Sequence, residues 1–229
     1  MPLPQRLTLA DLGLPEATTL ILHGSYARGD FTAHSDIDLH GIVPVQSDAM
    51  PSFKVVDIYG YRVEVHCTTE VAVYEMLRQR PAWAHSWLRA EHISGDPQVT
   101  QRLVQAAHDV LAVYHVPPAE IQETAHWLAS AGQKMADAQS TGDLPYAGYL
   151  VATNTWELLC GLWQVNDLPI PASKLTFLLT PTLPHLPPDF ARAFTELCGG
   201  DGVARVDAYL RIGRWVIAQL ALHNTATGQ

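Results

Sequence analysis

Residues 18 to 43 constrain this chain more than any other stretch, because two apolar β-type runs flank a short small-residue connection and the second run carries two carboxylates. Thr18 to His23 is β-branched and apolar and reads as a buried strand, ended by a tight turn at Gly24-Ser25. Asp36-Ile37-Asp38-Leu39-His40-Gly41-Ile42-Val43 reads as the next strand. Its period of two predicts Asp36 and Asp38 on one face, with Ile37 and Leu39 on the other. The Gly24-Ser25 turn exposes backbone N–H groups and Ser25 adds a hydroxyl, donors suited to phosphate oxygens, above all where a helix begins just beyond. Two carboxylates on one face supply the hard oxygen ligands that Mg²⁺ takes. A pair of such ions ~3.5–4 Å apart can stabilise both the attacking and the leaving oxygen of an in-line displacement. Taken singly, a Gly-Ser is an ordinary turn and two acids at i and i+2 are an ordinary solvated strand face. Their order along the chain is what points to metal-assisted phosphoryl transfer.

Gly24-Ser25, ten intervening residues and then Asp36-Ile37-Asp38-Leu39 resemble the motif of the nucleotidyltransferase superfamily, the fold of DNA polymerase β, kanamycin nucleotidyltransferase and the minimal nucleotidyltransferases. The resemblance implies an α/β (α+β) catalytic domain with a small mixed sheet. It implies two Mg²⁺ ions held by Asp36, Asp38 and a third carboxylate on a neighbouring strand. Gly24 and Ser25 would hold the β,γ-phosphates of a nucleoside triphosphate, ATP being the expected one, with Arg28 assisting. In some antibiotic-modifying members the site is completed across a dimer, so a homodimer stays open.

Two places for the third carboxylate are visible. Phe53 to Tyr59 and Tyr61 to Thr68 read as a hairpin around Gly60, and each arm offers one acid. In Val63-Glu64-Val65-His66-Cys67 the apolar residues alternate with Arg62, Glu64 and His66, which places Glu64 on a polar face; Asp57, between Val56 and Ile58, fits less specifically. Glu64 is the preferred candidate, and its competing role is that of a surface partner to Arg62. His23, His34, His40 and His66 fall near this region with no zinc-ligand spacing and read as neighbours of the site rather than ligands.

The chain has 229 residues and is 48% hydrophobic, enough for one or two cores. No apolar run approaches the ~20 residues that span a bilayer, and the N-terminus lacks a charged segment followed by an apolar stretch, so a cytoplasmic location is expected. Cys67, Cys160 and Cys198 are odd in number, far apart and in apolar contexts, which predicts buried thiols. With 14 basic against 23 acidic residues and a net charge of -9, the extended basic track needed for long nucleic acid is missing. An acidic surface suits a small cationic acceptor, such as an aminoglycoside, instead.

Beyond the hairpin the pattern becomes helical, and the expected division is a catalytic domain over 1–116 and an α-helical bundle over 117–229, with Pro117-Pro118 as a hinge. Thr69 to Arg80 and Val99 to Tyr114 read as helices around a short edge strand at Glu91 to Ser94. In the second half, helices are expected over Ala119 to Ala138, Pro145 to Gln164, Asp189 to Leu197 and Gly202 to His223, with a Pro-rich loop between the second and third. Antibiotic-modifying relatives use such a bundle for part of the acceptor site. Leu150, Asn154, Glu157 and Gly161 follow one helical stripe, so Glu157 is a candidate catalytic or acceptor-binding group, with Gly161 leaving room beside it. Lys174, framed by prolines, is a candidate triphosphate contact. Trp156 and Trp163 read as core. The expected activity is Mg-dependent transfer of a nucleoside monophosphate to a hydroxyl of a small molecule. The alternatives are an antitoxin-like enzyme that adds AMP to a protein partner and a non-catalytic nucleotide-binding regulator.

Overall fold

A computed structural model describes residues 8–15, 18–45 and 51–226. The chain divides into two compact units, Met1–Val113 and Tyr114–Gln229. The first is built on β1 (Thr19–Leu22), β2 (Ile37–Ile42), β3 (Phe53–Ile58), β4 (Tyr61–Thr68) and β5 (Glu91–Ser94), in the spatial order β3-β4-β2-β1-β5. β2 and β4 run parallel while the other neighbours are antiparallel, so the sheet is mixed. The chain leaves β2, forms β3 at the sheet edge and returns through a two-residue turn at Tyr59 and Gly60. Both have positive φ, 53° and 82°, the turn geometry whose twist matches that of the flanking strands.

Strand alternation sorts the side chains as the sequence predicts. Ile37, Leu39, Val63 and Val65 are fully buried and pack with Leu12, Leu14, Leu20 and Leu22 under one face. Each such burial is worth ~1.5–3 kcal/mol. A one-residue slip would send all of them to the opposite face and the acids into the core, so this core fixes the register of β2 against β4. On the other face Ile21 and Ile42 pack with Val73 and Leu77 of α2 (Glu70–Gln79), Trp87 of α3 (Ala84–Trp87) and Leu103 of α4 (Pro97–Ala112). Thr69 caps α2 by accepting the Ala72 N–H at 3.2 Å, and Asp96 caps α4 by accepting from Gln98 N at 2.9 Å.

The second unit is helical: α5 (Pro118–Ser140), α6 (Leu144–Val165), α7 (Ser173–Leu179), α8 (Phe190–Gly199) and α9 (Gly202–Ala226). Its core gathers Leu128 and Met135 of α5, Leu158, Leu162 and Trp163 of α6, and Tyr209, Ile212 and Val216 of α9. The stretch expected as a Pro-rich loop instead contains α7 and a 3₁₀ turn at Thr180–Thr182. Trp163 Nε1 donates to Thr180 Oγ1 at 3.0 Å and Thr180 Oγ1 donates to Thr176 O at 2.6 Å. These bonds to the core helix stabilise a segment whose prolines suggested irregular chain, and proline is no obstacle in a first turn.

Candidate active site

His23 extends the β1–β2 pairing by one bond, its N–H reaching Asp38 O at 2.8 Å. The chain then turns at once into α1 (Gly24–Arg28). The expected turn at Gly24-Ser25 is therefore itself the start of the helix. Gly24 has φ +66°, and a Cβ there would lie 1.8 Å from Asp38 Oδ2. Only glycine satisfies both demands, the left-handed backbone and the contact with the Asp38 carboxylate. The first N–H groups of α1 have no partner within the helix and start beside that carboxylate.

The parallel register sets Asp38 directly opposite Glu64, and Asp36 lies two residues earlier in the chain. The three carboxylates, all half-buried, bring ligand oxygens within 4.8 Å of one another. Asp38 is held above the usual carboxylate range, first by burial and then by the negative charges of Asp36 and Glu64; His66 and Arg28 offset this only in part. Concentrated negative charge on hard oxygen donors, only partly offset by neighbouring cations, fits a divalent cation such as Mg²⁺. Glu64 also accepts from Arg62 at 3.0 and 3.1 Å, so the surface pairing expected as its competing role coexists with membership of the cluster. Asp57 lies opposite Arg62 on β3. Because register partners share a face, Asp57 points the same way as Glu64, and what separates them is strand order, since β4 stands between β3 and β2. Arg28, largely buried, pairs with Asp30 at 3.1 Å.

The histidines form a structure that the sequence only hinted at. His40 and His66, each two residues past a clustered acid on the same face, stack at 5.3 Å. His23 meets His40 edge-on at 4.5 Å and Trp87 at 4.2 Å. His23 Nδ1 lies 3.3 Å from Ser86 O, placing the proton on Nδ1, and burial pushes this imidazole down to about 4, so it is neutral at pH 7. The period-two spacing of His40 and His66 behind the acids was legible; the indole closing the row was not. His34 is exposed and outside it.

In the helical unit the stripe Leu150, Asn154, Glu157, Gly161 does not act as one surface. Leu150 and Asn154 are buried, and Asn154 accepts from Trp127 Nε1 at 2.9 Å while donating to Leu150 O at 2.7 Å. A Cβ on Gly161 would fall 2.7 Å from Val216 Cγ1, so this glycine admits a neighbouring helix rather than a ligand. Glu157 lines a cavity between α5 and α6, with Trp156 partly exposed beside it instead of in the core, while Leu150 and Asn154 border a separate, smaller one. Trp163 is buried as expected. Lys174 is on the first turn of α7 rather than in a loop, and it is exposed. Cys67 and Cys160 are buried, whereas Cys198 is exposed. No described helix is long and apolar enough to cross a membrane.

Residues 8–110 match the family model of the nucleotidyltransferase domain. A comparison with curated proteins returns no match. Among solved structures, a nucleotidyltransferase-like protein from Exiguobacterium sibiricum 255-15 aligns with 93% of this chain and 73% of its own, at 13% identity and a TM-score of 0.44, a likeness too weak to transfer residue roles. The matched segment contains the whole sheet, α1 and the three clustered acids, and it belongs to the nucleotidyltransferase superfamily.

Proposed function

We propose that this chain transfers a nucleoside monophosphate from a nucleoside triphosphate, ATP first among them, to a hydroxyl of a small molecule, releasing pyrophosphate. The supporting observation is the group of Asp36, Asp38 and Glu64 within 4.8 Å, inside a nucleotidyltransferase domain and beside the start of α1. Asp36, Asp38 and Glu64 would hold Mg²⁺. Bound there, the metal would offset charge on the transferring phosphoryl group and its leaving oxygen. The opening amides of α1 and the Ser25 hydroxyl would bind the β,γ-phosphate oxygens, and Arg28 would add positive charge at the same end of the sheet. A carboxylate of the cluster would accept the proton of the attacking hydroxyl. A net charge of -9 disfavours a polynucleotide acceptor.

The test is to incubate the protein with α-labelled ATP, GTP, CTP or UTP, Mg²⁺ and a panel of aminoglycosides, lincosamides and cell extract. Pyrophosphate release with label on a small hydroxylated product is the expected result. Nucleotide binding without pyrophosphate release, or label found only on a protein, would overturn the reading.

A further inference from the structure

We infer that a small-molecule site between α5 and α9 of the helical unit takes a six-membered ring with a carboxylate at one end and a neutral oxygen acceptor at the other. A cavity of about 260 Å³ opens there, walled by Leu128 and Gly132 of α5 and by Leu210, Gly213 and Ile217 of α9. Apolar cavities of ~150 Å³ already take benzene, so this one has room for a ring and its substituents. Two glycines keep it open. Both lie inside long helices, where glycine is less favourable than alanine. Neither has positive φ, and neither is required by a close approach. A Cβ on Gly132 would lie 3.6 Å from Leu210 Cδ2 and one on Gly213 3.8 Å from Leu158 Cδ1, ordinary van der Waals separations. At both positions the protein would accommodate a methyl group, and the space that the methyl would narrow is the cavity.

The polar lining selects the ligand. Tyr209 borders the same cavity and is 1% exposed, yet its hydroxyl has no hydrogen-bond partner. Its Cε1, the ring carbon next to the one that bears the hydroxyl, is 3.9 Å from the Cβ position of Gly213, so the polar end of the ring meets the glycine-lined wall. A buried hydroxyl left unpaired is costly, and an acceptor entering the cavity relieves it. Burial, then the charge of Glu157, raises the Tyr209 phenol above its ordinary range, which keeps it an O–H donor. The same Glu157 charge sends the ligand's own anionic group to the opposite end. There Arg214, exposed at the cavity, has no ion-pair partner among the described residues. No acid lines the cavity to compete for it. A guanidinium takes a carboxylate through two parallel N–H···O bonds. Arg214 follows Tyr209 by five residues, roughly 7.5 Å of helix rise, which is close to the separation of opposite substituents on one ring.

The site is built from the helical unit alone, so it can be measured without nucleotide. Isothermal titration of the full chain with 4-acetylbenzoate and with 4-oxocyclohexanecarboxylate should show saturable binding with Kd below about 1 mM. Methyl 4-acetylbenzoate, which lacks the charge, and benzoate, which lacks the second acceptor, should each bind at least about fivefold less tightly than 4-acetylbenzoate. Arg214→Gln and Tyr209→Phe should weaken 4-acetylbenzoate by a similar factor. Gly132→Ala and Gly213→Ala should leave the melting temperature equal or higher while lowering affinity about fivefold, a pairing that a purely structural glycine does not give. Each variant is checked by its melting curve; should Tyr209→Phe unfold, exposed Arg214→Gln carries the same comparison. Absence of saturable binding by either ring acid, equal affinity for the methyl ester, or wild-type affinity in Arg214→Gln and Gly132→Ala would overturn the site.

Discussion

Asp38 is the residue on which the most physical demands converge: it abuts Gly24, faces Glu64 and is raised in pKa by burial and by two neighbouring acids. A raised carboxylate contributes stability that is present below its unfolded value and lost as pH rises through the folded one. At pH 7 the ionised cluster therefore strains the metal-free protein. Asp38→Asn should lower turnover by roughly 10³-fold or more while leaving the metal-free melting temperature equal or higher. Mg²⁺ should raise the melting temperature of the wild type and not of the variant; a wild-type melting curve indifferent to Mg²⁺ would remove Asp38 from the ligands. His23 acts with the opposite sign. Its folded value, about 4 against the ordinary 6.5, means that the unfolded chain binds the extra proton, so stability falls as pH drops from about 6.5 toward 4, by up to about 3 kcal/mol. In His23→Asn, whose amide can still donate to Ser86 O, urea titrations across that window should show a visibly shallower loss. The remaining slope would come in part from His40, which burial holds below its usual range in the same way.

Among the elements, the parallel β2–β4 pair does the positioning. Val63 and Val65 on β4 and Ile37 and Leu39 on β2 lock the register from below, and the same register places Glu64 across from Asp38. Glu64→Gln should abolish transfer and leave a folded protein. Asp57→Asn, exposed and one strand farther out, should change turnover less than about threefold, because Asp57 lies outside the carboxylate cluster. Steady-state kinetics of the two variants, with circular dichroism as the folding control, decides between them. α6 shows the limits of reading one helix alone. Its four-residue stripe has the right spacing for a surface, but Gly161 faces Val216 of α9 and Asn154 faces Trp127 of α5. A helix flanked on two sides has no single polar face to read.

Over the whole molecule, charge and order along the chain carry different information. A net charge of -9 predicts that neither duplex DNA nor single-stranded RNA binds measurably by fluorescence anisotropy at about 0.15 M salt, where screening leaves only close contacts; saturable micromolar binding would contradict the small-molecule reading. The strand pattern, the Gly-Ser before Asp-x-Asp, the Tyr59–Gly60 hairpin and the long second-half helices were legible in the sequence, because each is fixed by residues within a few positions of one another. Asp36, Asp38 and Glu64 were legible for the same reason, as alternating polar positions within apolar strands. Tertiary structure decided what depends on distant partners. Strand order separated Glu64 from Asp57, which point to one face. The approach of Asp38 gave Gly24 its second reason to be glycine. Bonds among Trp163, Thr176 and Thr180 made α7 from a proline-rich stretch. Packing of α5 and α9 brought Gly132, Tyr209, Gly213 and Arg214 around one cavity. Local periodicity records which way a side chain points, whereas what it meets there is set by chain segments tens of residues away, and no local pattern encodes that.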